Sequence, residues 1–144
     1  MKNTELRNLL LSRGQAQHQE CVKLSATKFI TAEDWNQLKR YQQEYLRCYA
    51  AGTATYKAIL VGRSAARFLE HWVLPLREEL VELAHTSGKP PATKQWPPHV
   101  MYRHMTVPTM DYNTFQASDG TGSSIVRATT TERTIVDIAR LHGC

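Results

Sequence analysis

The stretch AILVGRSAARFLEHW, residues 58–72, decides how the rest of the chain is read. Four apolar residues, Ala58, Ile59, Leu60 and Val61, run without interruption into Gly62, where the pattern changes period. Ala65, Ala66, Phe68 and Leu69 then recur on one side of a helix. An apolar run that meets a glycine and turns into a helical repeat is the mark of a buried strand feeding a helix. The junction has two readings. In the sharper one, Gly62-Arg63-Ser64-Ala65-Ala66 is a nucleophile elbow, with Ser64 exposed for attack on a strand-to-helix turn. In the plainer one, Ser64 caps the helix and Gly62 relieves the turn. A serine near a helix start is among the commonest caps, so the plainer reading is preferred.

Downstream, PLREELVELAH (residues 75–85) fits a helix opened by Pro75, and its residues 80–84 also make an adequate strand. Propensity alone favours the helix. TSGKPPATKQWPP (residues 86–98) holds four prolines and a glycine, which excludes helix and predicts an extended crossover loop carrying Lys89, Lys94 and Trp96. Residues 99–104 alternate as a strand, and residues 109–124 are polar, with Asp119, Gly120 and Gly122 as turn residues. Residues 124–128 make a short strand. Thr129 with Glu132 three places on forms a capping box, and Ile135, Val136, Ile138, Ala139 and Leu141 give the last helix an apolar face up to Gly143. Strand and helix alternate through this half, which predicts an α/β (α+β) fold.

Upstream, residues 4–13 carry Leu6, Leu9 and Leu10 at helical spacing among Lys2, Arg7 and Arg13, with Gly14 as the stop. Two brief strand-like pieces, residues 21–24 and 28–30, then form a candidate hairpin. A helix followed by a small basic hairpin is the order of a recognition helix and wing. Thr31 and Asp34 open the next helix, in which Trp35, Leu38, Tyr41, Tyr45 and Tyr49 recur to Gly52 with Lys39, Arg40, Gln43 and Arg47 between them. Such an aromatic stripe is either a surface on which bases stack or the core face of a helix, and the core face is the commoner case.

The totals narrow the class. A chain of 144 residues, 42% hydrophobic and 22% charged, builds an ordinary globular core without staples. Eighteen Lys and Arg against thirteen Asp and Glu leave +5, which suits an anionic partner without demanding one. The excess is spread out, with eight basic and five acidic side chains in residues 1–48, so no charged arm or tail stands out. Cys21, Cys48 and Cys144 are odd in number and widely spaced, which suits free thiols in the cytoplasm. The N-terminus lacks an export-type apolar core, and no apolar run approaches the roughly 18 residues of a membrane span.

Catalytic and metal chemistry find little purchase. No Asp or Glu is followed two places later by Lys, so the common metal-nuclease spacing is absent. His99 and His104, five apart on a strand, point to opposite faces, and no metal site is expected. Asp119-Gly120-Thr121-Gly122 matches no phosphate-cradling loop, and no cofactor is expected. Asp111, Asp119 or Asp137 with His142 follow Ser64 in the Ser, Asp, His order of α/β-hydrolases, but the order arises easily by chance and the chain is short for that architecture.

With GRSAA at residues 62–66 and TTTERTIVDIAR at residues 129–140 both in view, the sequence resembles the bacterial AbiE-type (type IV) antitoxin and transcriptional-regulator family. That family shows a strand, an R-S-A-A helix start, further strands, and a closing T-x-x-R-T-hydrophobic-hydrophobic-D-hydrophobic-A-R helix. Phe29-Ile30-Thr31 to Trp35 also looks like the wing exit before the family's linking helix. The resemblance covers about residues 5–143. It implies a truncated winged-helix-like segment over residues 1–30, then a long linking helix and an antitoxin-like α/β domain with a mixed sheet over residues 31–144. Only one helix precedes the wing here, so the N-terminal winged helix-turn-helix is incomplete.

The function implied is that of a non-enzymatic, DNA-associated regulator, with DNA and a cognate toxin as partners. Residues 4–13 would be the recognition helix, and Lys2, Arg7, Arg13, Lys23 and Lys28 would hold phosphates. Some relatives place the same domain before a very-short-patch-repair-like nuclease, so the competing expectation is a protein-interaction module without DNA binding of its own. A small serine hydrolase using Ser64 is third. The resemblance also implies a strand over residues 80–84, which is followed over local propensity. Arg63, Ser64, Arg133 and Asp137 are expected to form a structural polar cluster, with Arg133 bridging to Asp137 four residues on.

Overall fold

The computed structural model describes residues 1–54, 57–71, 80–86 and 99–142. The expected crossover loop with Lys89, Lys94 and Trp96 lies outside the described residues, as do Trp72, Gly143, Cys144 and residues 75–79 of the ambiguous segment.

The apolar run becomes strand β3, Ala58–Leu60, and Gly62 opens helix α4, Gly62–Phe68. β3 reads as continuously apolar because both its faces are covered: Leu60 belongs to the main core, while Ile59 and Val61 belong to a second cluster with Ala84 and Val107. Among the described residues it is the middle strand of five. Strand β4 (Val81–His85) pairs with it antiparallel, and β5 (Val100–Tyr102) pairs with β4 in parallel. On the other side, β7 (Gly122–Thr129) runs parallel to β3 at Leu60 and Ala128, and β6 (Tyr112–Asp119) closes the sheet antiparallel to β7. The spatial order β5-β4-β3-β7-β6 is a mixed sheet, so the α/β (α+β) expectation holds. The strand reading of residues 80–84 also holds, one residue displaced.

Long β6 was not legible. Its alternation of exposed Thr114, Gln116 and Ser118 with inward Phe115 and Ala117 resembles a turn-rich loop in composition, yet the pairing runs unbroken from Tyr112–Thr129 to Asp119–Gly122.

On one face of the sheet lie α3 (Arg40–Ala54) and α4, with α5 (Thr131–His142) against α4. The single linking helix is two helices. α2 (Ala32–Gln37) begins where Thr31 Oγ1 accepts from the Asp34 amide at 3.1 Å, as expected, but Leu38 turns extended at ψ 145°. The chain restarts because the Lys39 amide donates to Gln42 Oε1 at 2.9 Å, half of a capping box placed at the head of α3. The aromatic stripe is core: Trp35, Tyr45 and Tyr49 are buried, and Tyr41 alone faces out at 52%.

The front end is shorter than expected. α1 spans Asn3–Asn8 and not residues 4–13, because Leu11 leaves the helix to bridge Phe29, each backbone amide donating to the other's carbonyl at 2.7 and 2.9 Å. The hairpin of β1 (Cys21–Lys23) and β2 (Phe29–Thr31) is present where the sequence places it. It does not stand apart from the later elements. Leu6, Leu10, Leu24 and Ile30 lie in the same core cluster as Leu46, Tyr49 and Val126, so the packing has no break at residue 30.

The closing helix differs in cap and in face. Thr130, not Thr129, receives the Arg133 amide at 3.3 Å, while the Thr129 hydroxyl turns inward to Thr134 at 2.7 Å. Thr134 and Asp137 are its buried residues, and Ile135 and Val136 stand 63% and 50% exposed. The apolar face read from the sequence is therefore only partly the packed one: a polar pair is buried there, Thr134 bonded to Thr129 and Asp137 to Arg133. No helix among the described residues is long and apolar enough to cross a membrane.

Candidate functional site

Three groups of side chains stand out in the sequence, and the fold treats them differently. At the elbow, Gly62 takes φ 57°, a left-handed conformation that favours glycine, and a Cβ there would collide with Glu82 Oε2. Ser64 is fully buried, and its Oγ accepts from the Glu82 amide at 2.8 Å. It ties α4 to β4 and does not cap the helix, since the residue before α4 is Val61 with no side-chain cap. An elbow needs its serine open to substrate, and here it is not. The carboxylate of Glu82, 5% exposed, meets His142 Nε2 at 2.6 Å and Arg103 Nη2 at 3.2 Å. Sequence spacing carries no signal for this cluster, because its three members come from β4, the segment after β5 and the end of α5.

The closing motif is the part most faithfully read. Arg133 Nε donates to Asp137 Oδ1 at 2.9 Å along α5, as expected, and its Nη1 also donates to Asp111 Oδ2 at 2.9 Å. The guanidinium thus clamps the helix to the turn before β6. The structure does not bring all four motif residues together: Arg63 makes no hydrogen bond or ion pair among the described residues, and Ser64 bonds elsewhere.

The five front-end cations divide. Lys2, Arg13 and Lys23 are exposed and have no acidic partner among the described residues. Arg7 turns inward: Nε donates to the Ser118 carbonyl at 3.0 Å and Nη1 to Tyr45 Oη at 2.9 Å. Lys28 is a correction. It does not sit on the open face of a wing but is 4% exposed, with Nζ donating to Asp119 Oδ2, Thr121 Oγ1 and Ser124 Oγ at 3.0–3.1 Å. Tyr49 Oη donates to the same Asp119 oxygen. Burial raises the Asp119 pKa, but hydrogen bonds from Thr121, Tyr49 and Lys28 outweigh it and hold it at about 2. The β6–β7 turn closes onto α1 through Gly120, whose amide donates to the Arg7 carbonyl at 3.1 Å. A Cβ on Gly120 would collide with the Leu10 carbonyl oxygen, so only glycine permits this approach.

Among the described residues no group of three or more His, Cys, Asp or Glu side chains is placed to hold a metal ion. His99 and His104 are both exposed on the turns flanking β5. No family model, curated protein or solved structure matches the chain.

Proposed function

We propose that the chain is a non-enzymatic, DNA-associated regulator of the AbiE antitoxin type, working in the cytoplasm. One observation carries this reading: Lys2, Arg13 and Lys23 on the front end are exposed and unpaired among the described residues, so their charge is available to phosphates. Lys28 leaves the phosphate-holding set and joins the scaffold, and Arg7, turned inward to Tyr45, leaves the duplex-facing set. The motif residues Ser64, Arg133 and Asp137 are occupied in holding elements together, which agrees with a protein whose business is binding.

Fluorescence anisotropy with labelled duplex from the chain's own upstream region tests it. With three phosphate contacts, log K falls against log salt with a slope of about −2.7. The Lys2→Glu/Arg13→Glu/Lys23→Glu variant flattens that slope. Absence of any complex at low salt overturns the reading.

The second reading is a protein-interaction module, favoured by Ile135 and Val136 exposed side by side on α5. Under this reading the chain has no DNA binding of its own, so the anisotropy titration gives no duplex complex, and Ile135→Asp/Val136→Asp would abolish binding to the product of the neighbouring reading frame.

A further inference from the structure

Between the start of α1, the end of α4 and the middle of β6 lies a cleft of about 520 Å³, within the size range of small-ligand sites. Its floor is aromatic. Phe68 stacks parallel to Tyr45 with centroids 6.0 Å apart, and Phe115 meets Phe68 edge-on at 5.5 Å. Tyr45 is buried, while Phe68 and Phe115 are only partly so, and both line the cleft. The rim is charged. Lys2 is exposed without an acidic partner among the described residues, and the Arg7 guanidinium is fixed by the Ser118 carbonyl and the Tyr45 hydroxyl. Among the described residues Glu70 is the one acidic residue of the lining; its Oε1 accepts from Asn3 Nδ2 at 2.5 Å, and its other oxygen has no partner there.

We propose that this cleft binds one unpaired nucleotide of a single nucleic-acid strand, the base stacking on one of the mutually inclined rings of Phe68 and Phe115 and meeting the other edge-on, and its phosphate meeting Lys2 and Arg7. Stacking on an aromatic face is open only to a base that has left its duplex, and a nearby cation neutralises the phosphate that arrives with it. The free Glu70 oxygen accepts from an exocyclic amine, which cytosine has and thymine lacks. The proposal rests on the nucleic-acid reading above and deepens it, giving the protein a single-strand site distinct from Arg13 and Lys23.

The chain has three phenylalanines, so aromatic NMR of phenylalanine-labelled protein reads the site directly, with Phe29 on the hairpin as control. Titration with hexadeoxycytidylate shifts Phe68 and Phe115 saturably and leaves Phe29 in place. Ribose 5-phosphate leaves all three unmoved, and hexathymidylate binds about tenfold more weakly. Lys2→Glu and Phe115→Leu each weaken the hexadeoxycytidylate complex about tenfold, and the surface variant Lys2→Glu carries no folding risk. Failure of the two phenylalanine signals to move, equal shifts with ribose 5-phosphate, or competition by blunt duplex at equal affinity overturns the proposal. Equal binding of hexathymidylate overturns the role of Glu70. Arg13→Glu/Lys23→Glu separates the two readings: it weakens duplex binding and leaves the ring shifts unchanged. Ring shifts without duplex binding sink the duplex reading alone, and duplex binding without ring shifts sinks the cleft alone.

Discussion

Lys28 Nζ lies 3.1 Å from Asp119 Oδ2, with the two residues 91 positions apart and their side-chain exposures 5% and 0%. The pair welds the front hairpin to the β6–β7 turn. Removing one member of a buried pair strands the other's charge, at a cost of about 3–5 kcal/mol. Lys28→Met should sit at the low end, since Tyr49, Thr121 and Ser124 still donate to Asp119. Urea unfolding measures it, and Lys28→Met with Asp119→Asn should lose less than Lys28→Met alone. A loss under about 1 kcal/mol for Lys28→Met would mean the carboxylate is solvated after all.

The same carboxylate sets an acid limit. Its pKa is held at about 2, below the ordinary 3.8, so the unfolded chain binds a proton before the folded one does. The stabilisation is fully present above pH 3.8 and is lost as pH falls through about 2. Asp119→Asn removes that dependence. Unfolding free energies measured between pH 5 and pH 2 should converge for the two proteins toward the acid end, and parallel curves would contradict the assignment.

Arg133 joins two carboxylates of unequal exposure, Asp137 at 0% and Asp111 at 34%. Arg133→Gln leaves Asp137 charged and buried, with Oδ2 already lacking a partner, and should cost about 3 kcal/mol. Asp111→Asn breaks only a half-exposed contact and should cost under about 1 kcal/mol. Thermal unfolding separates them, at roughly 2–4 °C per kcal/mol for a chain of this size. Equal shifts for the two variants would refute the ordering.

What could be read from the sequence was what is local. β3 and α4 were legible because an apolar run and a helical repeat each declare themselves within a few residues, and Arg133 with Asp137 because one helical turn brings them together. Lys28 reads as a wing cation for the same reason: its neighbours Thr27 and Phe29 give no hint of Asp119. The cleft was illegible for a different cause. Its rings come from α3, α4 and β6, and β6 itself reads as a loop because an edge strand with one solvated face has the composition of a turn. On α5 the buried Thr134 and Asp137 defeat a reading by apolar period, since hydrogen bonds and not area hold that face.

Cys48 and Ser64 lie fully buried beneath the elbow. Burial pushes the Cys48 thiol up to about 12, against the opposing effect of a hydrogen bond with Ser64. Since the thiolate is the reacting species, Cys48 in a Cys21→Ser/Cys144→Ser background should react with Ellman's reagent only as fast as the protein opens. Ser64→Ala strands the Glu82 amide without its acceptor and should cost about 1–3 kcal/mol. The loosened junction then speeds Cys48 labelling in proportion to the stability lost, while a fluorophosphonate probe leaves Ser64 of the native protein unlabelled. Labelling of Cys48 within seconds at mildly alkaline pH in the parent background, or capture of Ser64 by the probe, would mean that the ground beneath Gly62 is open to solvent and that the elbow is more than a joint.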